Sequence, residues 1–278
     1  MAALILPRRF NSQPQGAVDI DWGNPLTGKL TEVLNPSSPG SVTSIRGVTP
    51  SVIGNVLPAV GGVGAGVLLP TTYDSGLVIA SSSDDLFASK SEVTIFVVRR
   101  PIDITKRAST LFGYSSSNIS RVICHAPWTD GNIYFDYGGT DAAQRILSSN
   151  YTKKTSTEYL VFVAGGGKGR EIWRDGVKLA GDVTKTGVRT LDSAQFKIGA
   201  ANNSFSSDLE EIYLFGVASR AWSDSEIKDW SSNPWQLFRP QKRTLYFDVS
   251  TPGIPILSLP GVDQITTTGA RPYVSLGF

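Results

Sequence analysis

An all-β antiparallel sandwich with one short helix and extended arms at both ends is the fold the sequence predicts. Three observations predict it. Glycine and proline are plentiful, 28 and 16 among 278 residues, so turns are frequent and long helices are interrupted. The apolar residues fall in short runs rich in β-branched and aromatic side chains. A single stretch carries both the start and the stop signals of a helix.

The organisation expected along the chain is a docking arm over 1–40, a sandwich over 41–240 and an extended β tail over 241–278. In the arm, Pro7, Pro14, Pro25, Pro36 and Pro39 each fix φ and push the preceding residue out of helix. Leu4, Ile5, Leu6, Phe10 and Trp22 are costly to leave in water, so the arm is expected to pack on something. Gly61 to Gly66 reads as a glycine-rich strand end or turn. It does not read as a dinucleotide loop, because no helical pattern follows and Pro70 interrupts.

From Val93 the pattern sharpens. Val93 to Val98 is apolar on both faces, as a central strand covered on both sides must be. Leu111 to Tyr114 and Arg121 to Cys124 are short strand candidates. In Gly131 to Tyr137 the pattern alternates, with Ile133, Phe135 and Tyr137 facing one way and Asn132, Tyr134 and Asp136 the other. Glu158 to Ala164 is a second buried strand, followed by a glycine-rich hairpin loop over 165–169. Asp175-Gly176 between two strand-like runs supplies the positive φ angles of a type I′ turn. That turn pairs Arg174 with Val177, Trp173 with Lys178 and Ile172 with Leu179, and puts Trp173 on a face turned to solvent or a partner, under the Lys178 stem.

Phe196 to Gly199 is a further strand, and Leu209 to Phe215 the last of the core. The helix follows. Ser223 and Glu226 form a capping box, Trp222 precedes the cap and staples onto Ile227, and Trp230 continues that face. Asn233-Pro234 ends the helix. Thr244 to Asp248, Ile254 to Leu259 and Tyr273 to Phe278 are short β runs in the tail, which is expected to be tied down through Tyr273, Val274, Leu276 and Phe278. The sequence contains no internal repeat, which disfavours a propeller or solenoid.

Composition excludes several functions. The net charge of +2 is spread along the chain, and the Arg239, Lys242, Arg243 cluster is short, so no nucleic-acid partner is expected. With one cysteine, Cys124, there is no intrachain disulfide and no thiolate zinc site. The neighbouring His125 points to the opposite face of its strand, which argues against a Cys–His nucleophile. The apolar start, Met1 to Pro7, is too short for a signal core, and Arg8 and Arg9 follow it. The expectation is synthesis in a cytosol without membrane insertion.

Residues 92–235 resemble the laminin-G/concanavalin A-like jelly-roll superfamily. The likeness is carried by Thr94 to Pro101, by the run from Tyr159 to Val177 with its aromatic-Arg-Asp-Gly-Val hairpin, and by Lys197 to Trp230 with its Ile-Gly, acidic-apolar strand and Arg-Ala-x-x-x-x-Glu-Ile helix. The flanks, Leu6 to Gly16, Asn233 to Pro240 and Ala270 to Phe278, resemble bacteriophage structural proteins that carry such a domain. The resemblance implies a multicopy or homo-oligomeric virion component of capsid, tail or baseplate. Its arms would dock to other virion proteins, and its lectin-like domain would meet host polysaccharide.

The superfamily also hosts polysaccharide-degrading glycoside hydrolases, the alternative reading. Those place acids at alternating strand positions. Here Asp208 and Glu210 share a face, but Ile212 and Leu214 follow where a third acid belongs, and Glu210 and Glu211 diverge. The reading is a solvated strand end and no enzyme. Relatives bind calcium through acidic loops. Asp130, Asp136 and Asp141 are the available acids, and they read as ordinary turn acids, so no cofactor is expected. For glycan contact, Trp128, Tyr134, Tyr137 and Trp173 supply flat aromatic faces and Asp130, Asn132 and Asp136 polar partners. Core or interface packing accounts for each of them equally well.

Overall fold

The computed structural model describes residues 10–14, 18–36, 42–45, 49–72, 75–80, 86–87, 91–114, 120–139, 144–149, 151–190, 194–199 and 207–240. For Pro36, Val42, Thr43, Ala80 and residues 243–246, 262–268 and 271–276 it describes the backbone alone.

The first strands are β1 (Val18–Ile20), β2 (Leu30–Pro36), β3 (Val42–Ser44), β4 (Ser51–Ile53), β5 (Leu57–Gly61), β6 (Gly64–Leu69) and β7 (Gly76–Ala80). The middle of the chain forms β8 (Val93–Pro101), β9 (Phe112–Tyr114), β10 (Val122–His125), β11 (Ile133–Tyr137), β12 (Arg145–Ser148) and β13 (Glu158–Ala164). There follow β14 (Arg170–Arg174), β15 (Val177–Asp182), β16 (Phe196–Gly199), β17 (Glu210–Ala218), helix α1 (Asp224–Ser232) and β18 (Phe238–Pro240). Last come β19 (Arg243–Tyr246), β20 (Val262–Thr268) and β21 (Arg271–Leu276).

Two antiparallel sheets make the sandwich. One runs β15-β14-β13-β8-β17-β2-β3, with β6 also on β17 and β5 on β6; the other runs β12-β11-β10-β9-β16-β7-β4. Their inner faces meet in one apolar core. Ile95, Val97, Leu160, Phe162 and Phe215 come from the first sheet, and Phe112, Cys124, Phe135 and Phe196 from the second. Phe162 spans the gap, 5.3 Å from Phe112 and 5.4 Å from Phe135, ring centre to ring centre. This is the predicted fold class, with one α-helix among the described residues.

The continuous apolar run in β8 needs a cover on its second face, and α1 helps supply it. Phe96 and Val98 on β8 join Val161, Val163, Leu214, Trp222, Ile227 and Trp230 in a second buried layer. Trp222 stacks on Phe96 at 4.9 Å and 17°. The capping box forms as predicted: Ser223 Oγ accepts the Glu226 N–H, and the Glu226 carboxylate accepts the Ser223 N–H at 2.8 Å.

The structure corrects several expectations. Residues 18–36 belong to the sandwich and not to an arm. β2 pairs with β17, Leu34 opposite Phe215, and Val33 and Leu34 are buried. β1 pairs with β18, tying the two ends of the domain together. Proline spacing misled here because Pro36 only ends a core strand. Phe10, expected in the docking arm, packs against the outer apolar layer of its own domain, and its carbonyl accepts from Asn233 Nδ2 at 2.9 Å. Trp22 is 61% exposed in a loop. Leu4, Ile5, Leu6 and Phe278 lie outside the described residues, and the backbone of Tyr273, Val274 and Leu276 lies in β21, paired with β19 and β20.

At the β14–β15 hairpin, Asp175 (φ 53°) and Gly176 (φ 76°) adopt the left-handed turn, and Arg174–Val177 and Trp173–Lys178 pair as predicted. A bulge then shifts the register, so Ile172 faces Ala180 instead of Leu179. Trp173 does not face solvent. It is 2% exposed in the layer under α1, with Lys178 4.9 Å and Lys168 5.7 Å above its ring.

Candidate functional site

β11 sets the site by alternation. Ile133, Phe135 and Tyr137 are buried in the core, and the outward positions carry Asn132, Tyr134 and Asp136. The turn before β11 is fixed by two backbone bonds, Trp128 N–H to Asn132 O and Gly131 N–H to Trp128 O, both 2.8 Å. The Asp130 carboxylate in this turn accepts the Asn132 N–H at 2.8 Å, Asn132 Nδ2 at 3.0 Å and the Tyr134 hydroxyl. Desolvation opposes ionisation, but the bonds from Tyr134 and Asn132 together prevail and hold the Asp130 carboxyl below the usual range. The Tyr134 ring is thereby fixed at the surface.

Above that ring lies Arg145 of β12, its guanidinium carbon 5.1 Å from the ring centre. Arg145 also grips Asp136 through two bonds of 2.6 Å, and Arg121 approaches the same carboxylate at 2.9 Å. Asp136 is fully buried beneath these two arginines, so it positions cations and offers nothing directly to a ligand.

β12 and β15 are edge strands of opposite sheets, and they meet along one open side of the sandwich. Between them lies a cleft of about 710 Å³. One wall is Tyr134, Arg145, Ile146 and Leu147; the other is Ala180, Gly181, Asp182 and Lys185. Leu147 is 44% exposed there.

Of the aromatic and polar candidates proposed from sequence, the cleft takes only Tyr134. Asp130 and Asn132 stand behind it as its support, and Trp128 packs edge-on against the His125 ring at 4.5 Å. Trp173 sits in the other apolar layer, outside the opposite sheet. The reading from sequence missed Arg145, Leu147, Asp182 and Lys185. Alternation in β12 was a usable signal for the first two, but nothing local tells that β12 and β15 adjoin.

His125 and Cys124 point to opposite faces as expected: Cys124 lies in the core, and His125 Nδ1–H donates to Ser109 O at 2.8 Å. Burial pushes the Cys124 thiol up and the His125 imidazole down to about 4.

Asp208, just before β17, and Glu210 and Glu211 at its start are not a solvated strand end. Asp208, Glu210 and Glu211 are all buried and all ion-paired. Lys153 holds Asp208 at 2.6 Å, Arg99 holds Glu210 at 2.8 Å and Arg100 holds Glu211 at 2.6 Å. Arg99 also reaches Glu158 at 3.3 Å, Tyr151 at 2.9 Å and Ala126 O at 2.6 Å. Arg99, Glu158 and Glu210 have no exposed side-chain surface, so this network is closed to substrate. Among the described residues no group of acids, histidines or cysteines is arranged to hold a metal ion. Among them, too, no helix is long and apolar enough to cross a membrane.

No family model matches the chain, and no curated protein matches it in sequence. Solved structures do match. One is the binding domain of Paraclostridial Mosquitocidal Protein 1, with TM-score 0.60 and 16% identity over 74% of this chain and 52% of that one. A second is domain 4 of an extracellular arabinanase from Geobacillus stearothermophilus in complex with arabinotriose, with TM-score 0.54 and 16% identity over 73% and 98%. A third is Trypanosoma rangeli sialidase, with TM-score 0.53 and 17% identity over 73% and 32%. The matched region spans about half of the mosquitocidal binding domain and about a third of the sialidase. At these identities the shared property is the β-sandwich fold.

Proposed function

We propose that this chain is a non-catalytic, glycan-recognising β-sandwich whose ligand site is the cleft between β12 and β15. The observation that carries this reading is the fixed, surface-held Tyr134 ring, with Arg145 over one of its faces, in an open cleft with polar groups on both walls. A rigid aromatic face flanked by a few placed hydrogen-bonding groups is what a sugar ring requires. The fold shared with an arabinanase domain described in complex with arabinotriose supports it.

The resemblance of the flanks to phage structural proteins supports display on a virion, with host-surface polysaccharide as the ligand. The exposed Trp22 is available for docking to other virion proteins. Mass spectrometry of purified particles would detect the chain in a virion, and its absence there would remove this half of the proposal.

The test of the site is a glycan array probed with the full chain and with Tyr134→Ala. The wild type should bind a defined subset, and the variant should lose it while keeping its circular dichroism spectrum and melting temperature. Equal binding by the variant would rule out the cleft. Turnover of bacterial surface polysaccharide by the purified chain would replace recognition with hydrolysis.

A further inference from the structure

We infer that the cleft selects an acidic saccharide, one whose rings carry carboxylate or sulfate groups. The inference rests on the glycan-recognition reading and specifies its ligand class.

The first ground is the excess of cations at the cleft. Of the charged side chains that line it, two are cations, Arg145 and Lys185, and one is a carboxylate, Asp182; behind the Tyr134 wall Arg121 and Arg145 share Asp136, and Asp130 supplies that wall's second carboxylate. On the other wall Lys185 stands 3.9 Å from Asp182, at the outer limit of an ion pair, while Asp182 accepts from the Thr184 amide at 2.9 Å and its hydroxyl at 2.6 Å. Those bonds come from neutral groups and leave the Asp182 charge in place, so Lys185 is held only through its long 3.9 Å contact and remains the cation of that wall.

The second ground is Arg170. It is the register partner of Asp182, and its guanidinium is buried behind the β15 wall. Its bonds go to neutral oxygens only: Gly169 O and Tyr137 O at 2.9 Å, Gln144 Oε1 at 3.4 Å and Gly187 O. Its Nε has no partner. Burial lowers its pKa to about 10, the direction expected of a cation desolvated without an anion. Its register partner Asp182 lines the cleft, so this uncompensated charge lies one strand behind the β15 wall. Low-dielectric protein screens it less than water would. An anionic ligand in the cleft would supply the negative charge that the fold does not, with Arg145 and Lys185 touching it and Leu147 giving apolar contact to the ring.

The experiment uses the full chain on an array holding neutral, uronate-containing, sialylated and sulfated glycans. The strongest binder is then compared with its carboxyl-reduced or desulfated form by calorimetry. Neutralising the ligand should weaken binding at least tenfold, as should Lys185→Met, and raising the salt from 50 to 500 mM should weaken the acidic ligand alone. Which form of neutralisation matters separates carboxylate from sulfate. A best binder that is neutral, or one unaffected by neutralisation, overturns the inference and leaves glycan recognition standing. Binding to no glycan by a correctly folded chain overturns the underlying reading as well. An acidic binder indifferent to Lys185→Met and Tyr134→Ala moves recognition away from this cleft and overturns the inference.

Discussion

Arg99 Nη1 lies 2.8 Å from Glu210 Oε2, and neither side chain reaches solvent. The pair joins the end of β8 and the start of β17 to a network that includes Glu158, Tyr151 and Arg174. Burial drives the Glu210 carboxyl up to about 8 against the opposing pull of Arg99, and Glu158 gives the guanidinium a second buried carboxylate.

Arg99→Met should therefore cost about 3 kcal/mol or more, since it strips a buried carboxylate of one of its partners. Glu210→Gln, which keeps the side chain's shape and leaves Glu158 paired with Arg99, should cost less, about 1 kcal/mol. Urea unfolding of both variants checks the contrast, and equal losses would mean that Glu210 is ionised in the folded protein.

Stability should depend on pH through two buried groups of opposite sign. Glu210 is raised from 4.5 to about 8, so its contribution is full below pH 4.5 and is lost as pH climbs through 8. His125 is depressed from 6.5 to about 4, so its contribution, at most about 3 kcal/mol, is full above pH 6.5 and is lost as pH falls through 4. The two oppose each other between 4.5 and 6.5, and only the Glu210 slope remains between 6.5 and 8. Melting curves across this range should show Glu210→Gln flattening the upper arm and His125→Gln the lower one.

Gly216 tests the packing beneath Trp222. A Cβ there would overlap the Phe96 ring, which Trp222 and Trp230 hold in place. Gly216→Ala should cost about 1–3 kcal/mol by overpacking. Gly62→Ala, where a Cβ meets open space, should be close to neutral. Thermal melts of the two variants give the comparison.

The helix cap can be probed alone. Ser223→Ala removes the acceptor for the Glu226 N–H and should cost about 1 kcal/mol. Restoration by Ser223→Asp would show that the side-chain oxygen, not the residue's size, is what matters.

Much of this architecture is legible locally. The Asp175-Gly176 turn, the Ser223–Glu226 cap and the alternation in β11 depend on residues within a few positions of each other, and each appears as read. The bulge beside Trp173 is not legible, because it arises from how β15 adjusts to the sheet and not from the turn that starts the pairing.

The sequence by itself determined that this chain is a two-layered antiparallel sandwich, because hydrophobic periodicity and turn chemistry are properties of short segments. Only the tertiary structure decided that Leu34 lies in the core, that the acids of β17 are buried and neutralised, and where the cleft lies. Glu210 meets an arginine 111 positions away, and Arg145 and Asp182 line opposite walls of one cleft. Such partners are chosen by strand order, and strand order is set by which buried faces fit together, a global property that no single segment encodes.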